Sequence, residues 1–184
     1  MVTIIGCDHM HQRKWQRCFG DERLVAFEAD QKKRFYEFIF DQRRVRQATL
    51  ICEEIEQGCD SFAKDLAESQ GVAYANVDMP VEERQRRGIP LNYSDDGAPY
   101  AAEQIARWHS EREHFMVETV RAAQQNGRQP TLLICGRLHR ERIAEILRNR
   151  GTDVQVIDLA DCDSFSDKWE EDYPIDFVDG EHRP

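Results

Sequence analysis

Short apolar runs with little polar alternation recur along the chain, and they predict strands that are buried on both faces of a parallel sheet. The runs cover residues 2–7, 48–52, 72–77, 131–135 and 153–159. Between them, apolar residues recur at the three- and four-residue spacing of helices, over residues 30–47, 61–70, 98–126 and 137–150. This alternation predicts an α/β fold with a mainly parallel, open sheet of about five strands and helices on both faces.

The order of these elements also predicts where a ligand would bind. If the first three strands wind in one direction and the last two in the other, the strand order is 3-2-1-4-5 and the sheet has its switch point between the first and fourth strands. Open α/β sheets bind ligands outside the carboxyl ends of their strands at such a point. The sequence predicts this fold as a single domain over residues 1–160.

Three stretches outside these elements are predicted to be irregular. The first strand leads into a polar loop that extends to residue 20. Residues 81–99 contain two glycines, two prolines and an Asp-Gly pair, which indicates a long loop, a candidate lid with one helical turn at 81–87. Residues 161–184 form an acidic tail, whose aromatic residues indicate that it packs on the domain or on a partner.

The net charge of −10 is concentrated at the carboxyl end of the chain. From Asp158 onward, ten acidic residues stand against two basic ones, which gives −8 and leaves −2 for the rest. The basic clusters elsewhere are short and interleaved with acids, so we expect no nucleic-acid partner. No apolar run approaches the roughly 20 residues that span a bilayer, and the amino terminus turns polar too early for a signal peptide. These features predict a cytoplasmic protein with no membrane partner.

Two histidine turns are the first candidate chemistry. Gly6 and His9 follow the first strand in a G-x-x-H pattern, and Gly136 and His139 repeat it after the fourth strand. A glycine allows a close backbone approach, and a histidine three residues later can point back over the sheet. There it would ligate a metal, act as a base or hold an anion at a helix start. The alternative is that each histidine only caps or packs locally.

Carboxylates at the strand ends are the second candidate group. Glu53 and Glu54 end the second strand, and because strand residues alternate between faces, only one of them can easily face the switch point. Asp8 lies beside the first histidine turn, and Asp78 ends the third strand. Such carboxylates bind metals or accept protons, although they are equally compatible with a polar loop start.

Arg112 is the most informative single charge. It falls inside the apolar stripe of the long helix, where a guanidinium needs a carboxylate or an anionic ligand as partner. Glu53, Glu54 or a substrate would supply that partner, unless the side chain extends past the edge of the stripe into solvent. Arg84 belongs to a basic cluster in the 81–99 stretch and would help this stretch to bind an anionic substrate.

These residues, in this order, resemble the TraB/Tiki group, which belongs to a wider set with erythromycin esterase and the haem-binding protein ChaN. The similarity extends over roughly residues 2–159. It rests on two G-x-x-H motifs, a glutamate after the second strand, an arginine followed four residues later by methionine, and a leucine-x-x-x-glycine helix end. The matching positions are Gly6, His9, Glu53 or Glu54, Arg112, Met116, Gly136, His139, Leu147 and Gly151.

The resemblance implies a site of histidines and glutamate. In the group this site supports metal-dependent peptidase activity in Tiki, esterase activity in the erythromycin enzymes and ligand binding in ChaN. This sequence has Cys7 where the first motif usually has threonine, and it lacks the usual large helical insertion.

The favoured hypothesis is a small hydrolase acting on a small-molecule or peptide ligand. His9 and His139 with Glu53 or Glu54 would hold a divalent metal or a water, and Arg112 would orient a carboxylate or stabilise an oxyanion. The metal ligands would be His9, His139 and Glu53. Turn or substrate-contact roles fall to Gly6, Asp8, Gly136, Asp78 and Arg84.

Two other hypotheses remain open. A non-catalytic module would bind a small anion or a cofactor at the same place. In the second, Cys7 or Cys135 would act as a nucleophile beside a histidine. Since no cysteine forms a C-x-x-C pair, the expectation for the six cysteines is reduced, structural thiols.

Overall fold

The computed structural model describes residues 1–14, 22–91, 100–124, 129–162 and 165. Within these residues the strands are β1 (Val2–Cys7), β2 (Leu50–Glu53), β3 (Ala73–Asn76), β4 (Thr131–Gly136) and β5 (Val154–Asp158). The helices in the same residues are α1 (His9–Gln12), α2 (Glu22–Arg46), α3 (Phe62–Gln70), α4 (Val81–Arg86), α5 (Ala102–Ala123) and α6 (Arg140–Asn149), and a 3₁₀ turn (Leu159–Asp161) follows β5. The prediction of an α/β fold is confirmed.

All strand pairs of the sheet are parallel, and the strand order is β3-β2-β4-β1-β5. The predicted order 3-2-1-4-5 is wrong in one respect, because β4 lies between β2 and β1. Thr131 of β4 pairs with Val2 on one side and with Leu50 on the other. The apolar pattern could not decide this, since β1 and β4 are both buried on both faces. The carboxyl ends of β2, β4 and β1 are therefore side by side.

The helices cover both faces of the sheet, as predicted. The steps from β1 to β2 to β3 move across the sheet in one direction, and the steps to β4 and β5 move back. Because parallel crossovers are right-handed, opposite directions place their helices on opposite faces. The two cores agree with this rule: Phe35 of α2 packs with Leu66 of α3 in one, and Met116 of α5 packs with Ile143 of α6 in the other. Each such buried side chain contributes roughly 1.5–3 kcal/mol.

Two element predictions are corrected by the structure. The polar loop after β1 begins with the short helix α1, which contains His9. The second helix begins at Glu22 rather than at residue 30. The sequence of its first half shows no helical spacing of apolar residues, because polar residues occupy the buried face. There Lys32 forms an ion pair with Glu28. The helical turn predicted at 81–87 is present as α4.

Part of the predicted tail packs on the domain. Phe165 is buried, and its ring lies 5.7 Å from the rings of both His11 and Phe38, measured between centroids. The other tail aromatics, residues 92–99 of the proposed lid and residues 15–20 of the loop after β1 lie outside the described residues. No helix in the described part of the chain is long and apolar enough to cross a membrane.

Candidate functional site

Side chains from four parts of the chain meet at the carboxyl ends of β1, β4 and β2. His9 follows β1, Glu54 follows β2, His139 follows β4, and Arg112 reaches in from α5. We call these four residues, together with Gly136 at the end of β4, the Glu54 cluster. The sequence placed both histidine turns and the arginine near one point, and the structure brings them together there.

Glu54 is the centre of this cluster. Its Oε1 accepts a hydrogen bond from Arg112 at 2.9 Å and lies 3.5 Å from His139 Nε2, while its Oε2 accepts one from the Gly136 backbone N–H at 2.9 Å. The side chain is 1% exposed. Burial alone would raise the pKa of Glu54, but His139, His9, Arg112 and the Gly136 N–H together lower it. The carboxylate is therefore held in its charged form inside the protein.

Arg112 links Glu54 to a second acid. Its guanidinium donates to Asp78 Oδ1 at 3.0 Å, and the other oxygen of Asp78 lies 2.5 Å from Arg84. Arg84 also donates to the Met79 carbonyl. The predicted partner of Arg112 is thus Glu54 rather than Glu53, and Asp78 belongs to the same network although its strand lies at the sheet edge. At 13% exposure, the Arg112 side chain sits near the surface of the cluster.

His139 is held at the start of α6 by a carboxylate from the neighbouring helix. Its Nδ1 lies 2.9 Å from Glu113 Oε1, and its ring centroid lies 5.2 Å from that of His109. Burial is the largest influence on the pKa of His139 and lowers it, but the hydrogen bond with Glu113 and the charge of Glu54 outweigh burial and raise it. His139 therefore favours the protonated form more than an ordinary histidine, and its Nε2 faces Glu54.

His9 approaches Glu54 from the carboxyl end of β1. Its Nδ1 lies 2.6 Å from Gln12 Oε1. A Cβ atom at Gly136 would lie 2.8 Å from His9 Nε2 and 3.5 Å from Glu54 Oε2. Any larger residue at this position would displace the imidazole, so Gly136 supplies the space in which His9 and Glu54 come close. This is the physical reason for the glycine in the second histidine turn.

Glu53 points to the other face of the sheet, and its predicted place beside the two histidines is wrong. Its carboxylate accepts hydrogen bonds from Ser61 at 2.5 Å, Tyr74 at 2.9 Å and Gln12 at 3.3 Å. The cause is strand alternation, which allows only one of two successive glutamates to face Arg112. Burial raises the pKa of Glu53 to about 7, although the three hydrogen bonds oppose the rise.

The raised pKa of Glu53 predicts a pH-dependent stability. The folded chain keeps this proton up to about pH 7, whereas the unfolded chain releases it near the ordinary value of 4.5. The contribution of Glu53 to stability is therefore largest below pH 4.5 and falls as the pH rises to 7, by about 3 kcal/mol. Glu53→Gln removes this titration, so its stability relative to wild type should rise by about 2–3 kcal/mol between pH 5 and pH 8.

Urea unfolding of both proteins across this pH range measures the difference. Glu68→Gln is the matched control, because Glu68 is an exposed glutamate on α3. Its difference from wild type should stay within roughly 0.5 kcal/mol at every pH. A pH-independent difference for Glu53→Gln would show that Glu53 ionises at the same pH in both states.

Two residues assigned to turns or substrate contact have other surroundings. A Cβ at Gly6 would lie 2.5 Å from Cδ of Arg140, whose guanidinium pairs with Asp158 at 2.6 Å. Gly6 lies inside β1, and its small size makes room for this arginine rather than for a ligand. Asp8 is exposed, and its backbone carbonyl accepts from the His11 N–H.

The contacts of the Glu54 cluster do not fit the predicted divalent-metal site. Its expected ligands were His9, His139 and Glu53, and Glu53 is engaged on the other face. Glu54, which takes its place, has both oxygens occupied, one of them by a guanidinium that would repel a cation. Among the described residues, no group of three or more histidine, cysteine, aspartate or glutamate side chains is arranged to hold a metal ion.

The cysteines of β1 and β4 are poor nucleophiles. Cys7 and Cys135 are buried in the two cores, and the Cys7 thiol approaches the Cys135 carbonyl. Burial, with nearby acidic groups, raises the pKa of both thiols well above the ordinary value. Because the thiolate is the reactive form, these contacts argue against the thiol hypothesis.

With this geometry established, the chain was compared with known proteins. No protein-family model, curated protein or solved structure matches it. The resemblance to the TraB/Tiki group therefore stays a prediction. Its remaining motif residues have structural roles here: Met116 and Leu147 are buried in the core, and Gly151 ends α6 with a φ of 76°.

Sequence reasoning missed three residues around the cluster, namely Gln12, His109 and Glu113. Glu113 had a usable signal, since it precedes Met116 by three residues and Val117 by four and so lies on the buried stripe of α5. Gln12 follows His9 by three residues, but this signal depends on the short helix α1, where a loop was predicted. His109 had the same kind of signal, since Ile105 precedes it by four residues and Met116 follows it by seven.

Proposed function

We propose that this protein is a hydrolase of ester or peptide bonds that uses His9 and His139 as an acid–base pair at the carboxyl ends of β1 and β4. One observation carries the proposal. Both imidazoles approach the buried Glu54, and each has its Nδ1 hydrogen-bonded to a fixed side chain, so that the Nε2 atoms are turned toward the cluster. Two histidines in such an arrangement can hold a water between them and transfer its protons.

The electrostatics support different roles for the two histidines. Against the lowering effect of burial, Glu113 and Glu54 raise the pKa of His139, so this histidine carries a proton over a wider pH range than an ordinary one, which suits it to the role of general acid. His9 has a neutral amide rather than a carboxylate at its Nδ1, and its Nε2 is assigned the role of general base. In this scheme His9 Nε2 takes a proton from water, the resulting hydroxide attacks the carbonyl carbon, and His139 Nε2 protonates the leaving oxygen or nitrogen as its bond breaks.

Arg112 and Glu54 would stabilise this reaction in different ways. The Arg112 guanidinium contacts Glu54 at 2.9 Å and would supply positive charge where the carbonyl oxygen becomes an oxyanion. Both oxygens of Glu54 already accept a hydrogen bond, which suits Glu54 to orienting the other members of the cluster and to stabilising the charged His139 rather than to nucleophilic attack.

Hydrolysis by the purified protein tests this proposal. Short-chain p-nitrophenyl esters and aminoacyl p-nitroanilides are suitable substrates, assayed with EDTA and with added Zn²⁺ or Mn²⁺. We expect turnover that EDTA leaves unchanged. Turnover that requires a metal would replace the acid–base scheme by a metal-assisted one, and no turnover over the whole panel would contradict a general ester or peptide hydrolase.

A non-catalytic binding protein is the second candidate. It is favoured by the deep burial of Glu54 and His139, whose side chains are 1% and 6% exposed and already have protein partners. A small anion or a cofactor such as haem would then bind beside Arg112 and His9 without being converted. A higher melting temperature with such a ligand, in the absence of turnover, would favour this role.

A further inference from the structure

We propose that Gln12 is a positioning residue that fixes the tautomer of His9 so that Nε2 carries the lone pair. Nε2 of His9 would then be the atom that acts as the base in the proposed hydrolase. The catalytic part of this inference rests on the proposed function, whereas the tautomer itself can be measured whether or not the protein is an enzyme.

The orientation of the Gln12 amide is the first step of the argument. The side chain is completely buried, and its Nε2 lies 3.1 Å from the backbone carbonyl oxygen of Glu54 and 3.3 Å from Glu53 Oε1. A backbone carbonyl oxygen only accepts hydrogen bonds. The amide NH₂ group must therefore face Glu54, because the flipped amide would place two acceptors against each other inside the protein.

The orientation of the amide then determines the proton on His9. With its NH₂ group directed at Glu54 and Glu53, Gln12 presents Oε1 to His9 Nδ1 at 2.6 Å. An amide oxygen is only an acceptor, so His9 Nδ1 must carry the hydrogen. In the neutral imidazole the lone pair is then on Nε2, the atom that lies against Gly136 beside Glu54.

The same contacts assign a purpose to Glu53. Its carboxylate lies on the opposite face of the sheet from the Glu54 cluster, yet Gln12 connects it to His9. Above its pKa of about 7, Glu53 is a carboxylate whose Oε2 accepts from both Ser61 and Tyr74, which leaves Oε1 as an acceptor for Gln12. Glu53 thus helps to orient Gln12, and Gln12 orients His9.

Nuclear magnetic resonance of ¹⁵N-histidine-labelled protein reports the tautomer directly. At a pH where His9 is neutral, wild type should show Nδ1–H and an unprotonated Nε2. In Gln12→Leu the acceptor is gone, and the Nε2–H form should appear. In Gln12→Glu the carboxyl oxygen that faces the Glu54 carbonyl has to carry a hydrogen, for the same reason that the amide NH₂ group faces it. The other oxygen remains an acceptor for His9 Nδ1, and the wild-type tautomer should persist. The Nε2–H form in wild type, or an unchanged tautomer in Gln12→Leu, would overturn the proposal.

His114 is the internal control for these spectra. It is exposed on α5, and its Nδ1 lies 2.7 Å from the Ser110 carbonyl, so it should show the same tautomer as His9 in wild type and should not change in either variant. Unchanged His114 and His139 signals also show that Gln12→Leu is folded. If that variant does not fold, the tautomer of His9 in the wild-type protein still tests the proposal.

Activity measurements separate this inference from the proposed function. If the hydrolase proposal holds, Gln12→Leu should lower kcat by roughly 10–100-fold, the usual effect of losing the hydrogen-bond partner of a functional histidine, with little change in KM. Gln12→Glu should recover most of this loss. If the predicted tautomer is observed but there is no turnover, the hydrolase proposal is wrong and the positioning role of Gln12 stands. If there is turnover but the tautomer is the other one, the positioning role is wrong and the hydrolase proposal stands.

Discussion

Replacing His9 by alanine is expected to lower kcat/KM for ester hydrolysis by roughly 10²–10⁴-fold, the contribution usual for a general base. In the proposal His9 has the role of general base, because Gln12 holds its Nδ1 and its Nε2 lies beside Glu54. The loss should fall mainly on kcat, since the substitution removes proton transfer rather than a large binding surface. Initial rates over a range of ester concentrations measure both parameters.

His114→Ala is the matched control for this experiment. His114 is an exposed histidine on α5, and its Nδ1 lies 2.7 Å from the Ser110 backbone carbonyl oxygen. Its removal should leave kcat/KM within about twofold of wild type, since surface substitutions are usually almost neutral. Equal losses in His9→Ala and His114→Ala, or a loss below threefold in His9→Ala, would exclude His9 as the base.

Replacing Arg112 by leucine is expected to destabilise the protein by about 3–5 kcal/mol, the usual cost of removing one partner of a buried ion pair. The variant leaves Glu54 charged, 1% exposed and without its closest cation. Asp78 also loses its contact with Arg112, but its charge is still compensated by Arg84. Urea or guanidinium unfolding at neutral pH measures the change in the free energy of unfolding.

Two further variants show whether the loss comes from the uncompensated charge. Arg107→Leu removes an arginine from the same helix whose side chain is 62% exposed, and it should change stability by no more than roughly 0.5 kcal/mol. The double variant Arg112→Leu, Glu54→Met removes both charges of the pair, and it should be more stable than Arg112→Leu alone. A loss of less than about 1 kcal/mol in the free energy of unfolding of Arg112→Leu would contradict the account of Arg112 and Glu54 as a buried ion pair.

Local patterns were sufficient to predict most of the fold. The apolar runs of β1 and β4 predict buried parallel strands because both faces of the sheet are covered, and α6 shows a clear helical period. Strand order is a property of the crossovers rather than of any strand. Since β1 and β4 are equally apolar, nothing in either run indicates that β4 lies next to β2.

The site was predictable to the extent that it follows from local geometry. The two histidine turns and the alternation of Glu53 and Glu54 place side chains at one sheet edge whatever the strand order, and the stripe of α5 points to Arg112. The choice between Glu53 and Glu54 was not predictable, because it depends on which helices pack on each face of β2. Gln12 was missed for a similar reason, since only the tertiary fold brings it against Glu53.

The most direct test is a double-mutant cycle on kcat/KM with His9→Ala, His139→Ala and the variant that combines them. If the two imidazoles serve one reaction as base and acid around Glu54, the combined variant should be no more than about threefold slower than the slower single variant, because residues that act as a unit are not additive. Losses that multiply, or a single variant that keeps full activity, would mean that these histidines do not work together.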